Sequence, residues 1–360
     1  LIDAHHIGLR QTGNETWARN ISRELARLGN PGEFAWATTS LGTDALMRLV
    51  GVAPLAVGGS GVRRLAIDLP AYARRIDAGA LLVQYTMPLT TTPCVVMVHD
   101  LSPFHADSAA WLSSPSALRI RQSIRRSVRR AAHLLAPSEF TRRQLVELLG
   151  AHPDRVSVAG NAVDPALATA IAHASSRTAG SAFVILAVGN VLPRKNLLVL
   201  GDAVHVLRQQ GVPAELRVVG NIPRSGQHIA EQLSIRLDGH GLTTRGYITD
   251  EQLAQEYVNA DVLAFPSLFE GFGIPLLEAM TAGLPAVVSD RTSLPEVAGD
   301  AALVVDADDS EAWAKALGRV HSEPLLRSSL VQAGQQRAAS YTWADSARTV
   351  LAALRNAAGR

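Results

Sequence analysis

The sequence predicts an α/β protein made of two doubly wound domains. Three observations carry this. Short, continuous apolar runs rich in β-branched residues alternate with helical stretches along most of the chain, the pattern of parallel strands covered on both faces. The 360 residues exceed one ordinary core and suit two domains of about 150 to 180 residues. A small, polar stretch, Ala166 to Gly180, shows no strand pattern.

The runs follow in order. Leu1-Ile2-Asp3-Ala4 reads as the end of a first strand whose start lies upstream. Val95-Val96-Met97-Val98 forms a strand that ends at His99-Asp100, and Leu134-Leu135-Ala136 leads through Pro137-Ser138 into a helix. Phe183 to Val188 is a buried strand ending in Gly189-Asn190. Leu216 to Gly220, Val262 to Phe265 and Ala286 to Ser289 continue the series. The expected domains are 1–165 and 166–341, followed by a terminal segment 342–360. In doubly wound domains ligands sit beyond the carboxyl ends of the strands, so two such domains facing each other would form a cleft.

Composition excludes several classes. Hydrophobic residues make up 47% and charged residues 18% of the chain, a globular balance and not a disordered one. A net charge of +2 gives nucleic acid binding no support. Cys94 is the sole cysteine, so no intramolecular disulfide forms, which fits a reducing, cytoplasmic compartment. No apolar run reaches the roughly 18 residues of a membrane-spanning helix, and no signal peptide is visible. Of 34 basic residues only Lys195 and Lys315 are lysines.

The densest chemical signal is Glu270-Gly271-Phe272-Gly273-Ile274-Pro275-Leu276-Leu277-Glu278-Ala279-Met280. Two glycines allow a tight turn and close approach to a ligand. Pro275 suits the first helical turn, and the helix should stop at Gly283. Its free N–H groups make an anion site. Glu270 can accept hydrogen bonds from sugar hydroxyls and Glu278 from a ribose diol. Taken singly, each Glu also reads as a loop charge or a helix-dipole partner worth about 0.3–1 kcal/mol.

The second signal is Val188-Gly189-Asn190-Val191-Leu192-Pro193-Arg194-Lys195-Asn196-Leu197. Two cations where a helix opens oppose its macrodipole, a local conflict that points to a held anion. Arg grips an anion in a fork and Lys acts as a point charge. A solvated basic turn is the plain alternative.

At these residues the chain resembles the retaining glycosyltransferases of family four, which share the GT-B fold. Their Glu, seven residues, Glu hallmark is matched by Glu270 and Glu278, and their donor-phosphate Arg and Lys by Arg194 and Lys195. Val98-His99-Asp100-Leu101, Ala136-Pro137-Ser138-Glu139, Ala260-Asp261 and Ser293-Leu294-Pro295-Glu296-Val297-Ala298-Gly299 are further family-like strings. The resemblance spans nearly the whole chain and is denser in its second half.

It implies that Glu270 contacts the donor sugar, that Phe272, Gly273 and Ile274 present backbone to sugar and phosphate, and that Glu278 binds the ribose. Leu277 and the Gly189-Asn190 turn join the donor site, and Tyr247 and Ile248 meet the base. Arg194 and Lys195 stabilise the leaving diphosphate. His99 faces the reacting sugar from the first domain. Gln11-Thr12-Gly13-Asn14-Glu15 corresponds to a Gly-rich loop near the phosphates, with Asn14 where a second glycine is often found. The terminal helix after Tyr341-Thr342-Trp343 crosses back to the first domain. The first-domain strings are most similar to bacterial mannosyltransferases, which favours GDP-mannose as donor and leaves the acceptor unnamed.

A lone His after a strand is commonly structural, but Asp100 and the surrounding string make His99 a site candidate. His5 and His6 read as loop histidines. None of the strands identified above is followed by an Asp–x–Asp pair, so neither a metal nor another cofactor is expected, and the two cations supply the charge neutralisation instead.

Between Ser116 and His133 six arginines from Arg119 to Arg130 cover one side of a helix whose stripe is Ala117, Ile120, Ile124, Val128 and Ala131, with no Asp or Glu from Ser108 to Ser138. An anionic membrane surface or a phosphate-bearing lipid acceptor would fit it. A solvated helix packed by that stripe is the preferred reading, because the stripe lacks large apolar or aromatic residues.

Two other functions share these motifs. A nucleotide-sugar epimerase would act without a second substrate. A non-catalytic partner subunit would not need His99, Arg194, Lys195, Glu270 and Glu278 together. A dinucleotide dehydrogenase would need G-x-G-x-x-G directly after a strand, which neither domain supplies.

Overall fold

The computed structural model describes residues 1–9, 12–105, 115–175 and 182–359. They form two compact units, Leu1–Asn161 with Thr342–Arg360, and Ala162–Tyr341.

The first unit holds a seven-stranded sheet, β1 Ile2–Asp3, β2 Trp36–Thr38, β3 Leu55–Ala56, β4 Leu81–Gln84, β5 Cys94–Met97, β6 His133–Ala136 and β7 Val156–Val158. The spatial order is β3-β2-β1-β4-β5-β6-β7, and every pairing is parallel. All four residues of β5 are fully buried, as expected of a strand covered on both faces. The strand order reverses between β1 and β4, the switch point of a doubly wound sheet.

The last helix, Trp343–Ala357, belongs to this unit. It packs on the helix Thr12–Leu28 and buries Trp343, Ala347, Val350, Leu351 and Leu354. Arg355 grips both oxygens of Glu33 at 2.9 and 3.0 Å. In the basic helix, Pro115–Arg130, Ile124, Ser127 and Val128 are buried, while Arg119, Arg125, Arg129 and Arg130 are exposed. Ser127 is an apolar-stripe residue the sequence did not suggest. Its hydroxyl accepts the Met87 N–H at 2.9 Å and donates to the Ser123 carbonyl at 3.0 Å, so it enters the interior satisfied. Ile120, expected in the stripe, is 37% exposed, and the Ala117 side chain lies outside the described residues.

The second unit holds a six-stranded parallel sheet, β8 Phe183–Val188, β9 Ala214–Val219, β10 Leu242–Arg245, β11 Val262–Phe265, β12 Ala286–Ser289 and β13 Leu303–Val305. Its order is β10-β9-β8-β11-β12-β13, so the reversal falls between β8 and β11. Alternate residues of β8 enter opposite core layers. Ile185 packs with Leu200, Trp313 and Leu317, and Leu186 with Tyr257, Leu276 and Val297.

The second unit begins at Ala162 rather than 166. The strandless stretch from Ala166 opens within a helix, Pro165–His173, capped by the Asp164 carboxylate on the Ala166 N–H at 2.9 Å. Leu167 and Ile171 bury that helix in the second core, which carries the capping segment with it. No helix among the described residues is long and apolar enough to cross a membrane.

Candidate active site

Loops leaving two adjacent strands meet at the switch point of the second sheet. The first leaves β8 at Gly189, whose φ is +135°. A β-carbon there would lie 3.0 Å from Lys195 Cε and 3.1 Å from Nζ, so glycine is what lets Lys195 fold back over the strand end. Pro193–Lys195 is a single 3-10 turn, and Asn196, left-handed at φ 52°, starts the helix Leu197–Gln209. The two cations therefore precede the helix and do not lie within it. The Asn196 side chain anchors the turn by donating to the Ala307 carbonyl at 2.7 Å.

The second loop leaves β11 and runs through Ser267 to Gly273. Arg194 ties the two together. Its carbonyl accepts the Leu268 N–H at 2.8 Å, and its Nη1 donates to the Phe269 carbonyl at 3.0 Å and to Glu270 Oε1 at 3.2 Å. Lys195 Nζ donates to the same Glu270 oxygen at 2.6 Å and lies 4.9 Å from the centre of the Phe265 ring. Burial alone would raise the Glu270 carboxyl, but the Lys195 and Arg194 charges and the hydrogen bond from Lys195 hold it below its ordinary value. Glu270 is thus a carboxylate between two cations. Side-chain exposure is 10% for Lys195, 13% for Glu270 and 32% for Arg194, so Arg194 is the more accessible cation.

Hydroxyls fasten the Glu270 backbone. Its N–H donates to Thr292 Oγ1 at 3.0 Å, and Ser293 Oγ lies 3.0 Å from the Glu270 and Phe272 carbonyls. Ser289 donates to the Ser267 carbonyl at 2.6 Å. Gly273, at φ +106°, then caps the helix Ile274–Thr281, and a β-carbon there would come within 2.7 Å of Leu294.

Glu278, on that helix, is half-buried and accepts the Tyr257 hydroxyl at 2.6 Å. Burial pushes its carboxyl up to about 7, the Tyr257 hydrogen bond opposes this, and Asp250 and Asp164 add to it. Burial and the Glu278 charge push the Tyr257 phenol well above its ordinary range, so it remains a donor.

The other expected donor-site residues divide by burial. Phe272 and Leu277 are core side chains, with Phe272 edge-on to Tyr341 at 5.4 Å, so only their backbone is available to a ligand. Ile274 and Ile248 are partly buried against the same core, and Tyr247 is exposed. Asn190 Oδ1 accepts the Asn221 N–H at 3.2 Å. Tyr257, Thr292 and Ser293 were not proposed from sequence as site residues. Only Ser293 carried a signal, as the start of a family-like string.

Two details differ from the sequence reading. Gly13 and Asn14 are not in a loop. They lie in the first turn of the helix Thr12–Leu28, which is fixed to the preceding segment by Glu15 accepting the Gly8 N–H at 2.9 Å. Gln11 lies outside the described residues. An Asp–x–Asp sequence does follow a strand, since Asp306-Ala307-Asp308 comes after β13, a short strand the sequence did not reveal. Both carboxylates accept from Arg291 Nη2, at 3.1 and 3.0 Å.

His99 belongs to the first unit, just beyond β5. It is buried, packs edge-on to Trp17 at 5.3 Å, and shares a 2.7 Å hydrogen bond between Nε2 and Gln84 Oε1. Burial, then the neighbouring His6, push it down to about 3, so it is neutral near pH 7. Asp100 does not partner it. Asp100 accepts from the Ser102 N–H and hydroxyl and from the Tyr85 hydroxyl. His5, expected to be a loop residue, is buried with Nδ1 3.1 Å from Asp3 Oδ1. A hollow of about 470 Å³ beside Asp261, Pro285 and Arg327 opens at the amino ends of β11 and β12, the opposite end of the sheet from Lys195 and Glu270.

The chain resembles known proteins in sequence and in fold. A family model described as Glycosyl transferases group 1 matches residues 182–323, and one described as Glycosyltransferase Family 4 matches residues 12–167. The chain is 28% identical over 270 residues to O-antigen chain mannosyltransferase B of Escherichia coli, covering 72% of this chain and 69% of that protein. It is 29% identical over 285 residues to the D-inositol 3-phosphate glycosyltransferase of a Nocardioides species, covering 74% of this chain but only 62% of that one. A crystal structure of a glycosyltransferase from Rickettsia africae aligns with a TM-score of 0.76 over 99% of this chain and 97% of its own, at 13% identity. At that identity the likeness speaks for the fold, a GT-B architecture.

Proposed function

Because the chain belongs to the glycosyltransferases of family four, we propose that it moves a hexose from a nucleoside-diphosphate sugar to a hydroxyl acceptor with retention of configuration and without a metal. The observation that carries this reading is the pairing of Arg194 and Lys195 with Glu270 at the β8–β11 switch point.

The donor's glycosidic C–O bond breaks with its electron pair going to the diphosphate, which gains negative charge while the sugar becomes oxocarbenium-like. Lys195 and Arg194 meet that charge, together with the free N–H groups opening the helix Ile274–Thr281. Interactions that strengthen as the charge develops accelerate the step. The acceptor hydroxyl attacks from the leaving-group face, and its proton passes to the departing phosphate oxygen. Glu270 orients the cations and takes the donor sugar's hydroxyls, and Glu278 takes the ribose.

The mannosyltransferase relative favours mannose as the sugar and a growing glycan as acceptor, with GDP-mannose the donor we propose, and the inositol-phosphate relative supports a small phosphorylated acceptor as a second reading. Exposed Arg119, Arg125, Arg129 and Arg130 support contact with an anionic membrane surface, which flotation with anionic vesicles at two salt concentrations would test.

The deciding measurement is thermal stabilisation by GDP, UDP, ADP and TDP and their sugar conjugates, with and without EDTA. A shift with one base, unaffected by EDTA, is expected, and its size at known excess bounds the affinity. No shift with any nucleotide would overturn the reading.

A further inference from the structure

Thr292 holds a backbone conformation that threonine avoids. Its φ is +58°, in the left-handed region where a β-branched residue is an outlier costing on the order of 1–3 kcal/mol. Glycine would adopt it freely. The same residue makes a specific contact, because its Oγ1 accepts the Glu270 N–H at 3.0 Å. Ser293, fully buried, places its hydroxyl 3.0 Å from the Glu270 and Phe272 carbonyls. The main chain of Glu270 is therefore held on its N–H side by Thr292 and on its carbonyl side by Ser293. The Glu270 side chain in turn receives Lys195 and Arg194.

We propose that Thr292 is a positioning residue, a strained clasp that fixes the Glu270 carboxylate beneath Lys195 and Arg194. For its effect on turnover, this rests on the donor-site reading above. A side chain in an unfavourable conformation persists when the contact it makes is worth more to function than the strain costs in stability. The clasp acts before any ligand binds, so it sets the geometry of the cations and adds no contact of its own to the donor.

Three variants separate the clasp from ordinary packing. Thr292→Ser keeps the hydroxyl. Thr292→Val keeps the shape and the strain but loses the acceptor. Thr292→Gly relieves the strain and loses the acceptor. The expected result is that Thr292→Gly melts at a higher temperature than the parent and still loses about tenfold in kcat, about 1.4 kcal/mol of barrier. Thr292→Val loses a similar amount in kcat without the gain in stability, and Thr292→Ser stays within about twofold. Hydrogen exchange of the peptide covering residues 266–273 should be faster in the Val and Gly variants and unchanged in the Ser variant. A Thr292→Gly enzyme as active as the parent would overturn the proposal, because a merely structural threonine predicts that outcome. If the parent itself transfers no sugar, the donor-site reading fails, and the clasp is judged on exchange alone: unchanged protection in the Val and Gly variants would overturn it.

Discussion

Glu270 Oε1 lies 2.6 Å from Lys195 Nζ, although the two residues are 75 positions apart in sequence. The contact joins the loops that leave the two strands flanking the reversal in the second sheet. On the proposed donor-site reading, one of the chain's two lysines then stands where negative charge would develop on a departing diphosphate.

Replacing Lys195 with Ala should therefore cut kcat by about 100-fold or more, the scale of losing one preorganised electrostatic contact, while nucleoside-diphosphate affinity changes far less. Lys195→Arg should restore little, because a planar fork cannot reproduce the short contact to Glu270 over the Phe265 ring. Steady-state kinetics with isothermal titration of the nucleotide separates the two quantities. Unchanged kcat in Lys195→Ala would remove its assigned role.

The pair should also appear in stability. Glu270 is held below its ordinary value in the fold, so the folded protein binds fewer protons than the unfolded chain in the acid range. Its contribution is present above about 4.5, its unfolded value, and is lost as pH falls through the folded value. The melting temperature of Glu270→Gln should fall less steeply below pH 4.5 than that of the parent. A double-mutant cycle with Lys195→Met should give a coupling of about 1 to 2 kcal/mol at pH 7. Parallel melting curves and zero coupling would mean that the 2.6 Å contact does not persist in solution.

The strands and turns at this site were legible because their signals are local. Phe183–Val188 and Val262–Phe265 are unbroken apolar runs, Ala286–Ser289 is apolar up to its final serine, and each is a central or near-central strand with those bounds. β10, Leu242-Thr243-Thr244-Arg245, was not legible, because it is an edge strand with little to bury. β13, with its exposed Val304, hid an Asp–x–Asp sequence for the same reason. Arg194, Lys195 and Glu270 could each be named, but sequence gave them separate tasks. That one carboxylate receives both cations depends on strand order, with β8 beside β11, which no local window contains. Tyr257 lay hidden on an apolar helix face, where a buried phenol looks like any other core residue until Glu278 is found beside it.

Glu278 gives a prediction of opposite sign. Its carboxyl is pushed up to about 7 from an ordinary 4.5, so the folded state holds a proton that the unfolded chain has released between those values. Its contribution to stability is complete below pH 4.5 and is lost as pH rises through 7. If the ionised form receives the ribose, nucleotide affinity should climb as pH rises through 7 and then level off, with proton release on binding. Glu278→Gln should flatten both curves. Affinity that is flat from pH 5.5 to 8.5 in the parent would exclude an ionising Glu278 from the ribose contact.

Tyr257→Phe tests the same carboxylate from its other side. The phenol hydrogen bond at 2.6 Å stabilises the ionised form of Glu278, so its loss should move the midpoint of the affinity curve further above 7. A loss of affinity of about tenfold at pH 7 is expected, narrowing at pH 8.5 where Glu278 ionises in both proteins. A uniform loss at every pH would point to packing damage, since Tyr257 is fully buried.

His99 should contribute no ionisation to the pH profile at all. Burial and His6 push it down to about 3 from 6.5, so in the folded state it stays neutral wherever the enzyme is assayed. Its neutral form costs stability only in acid. The contribution is present above pH 6.5 and is lost as pH falls toward 3, because the unfolded chain takes up a proton that the fold refuses. His99→Asn keeps a polar group of similar size beside Gln84, whose Oε1 shares the 2.7 Å hydrogen bond. That variant should lose less of its melting temperature between pH 6.5 and 4 than the parent does. If neutral His99 contacts the sugar, turnover at pH 7 should drop by about tenfold, the effect of one hydrogen bond of about 1 to 1.5 kcal/mol. The apparent pKa values of the kcat profile should not move. A shift in the acid limb with His99→Asn would show that the imidazole titrates during turnover, and would replace a positioning contact with proton transfer as its role.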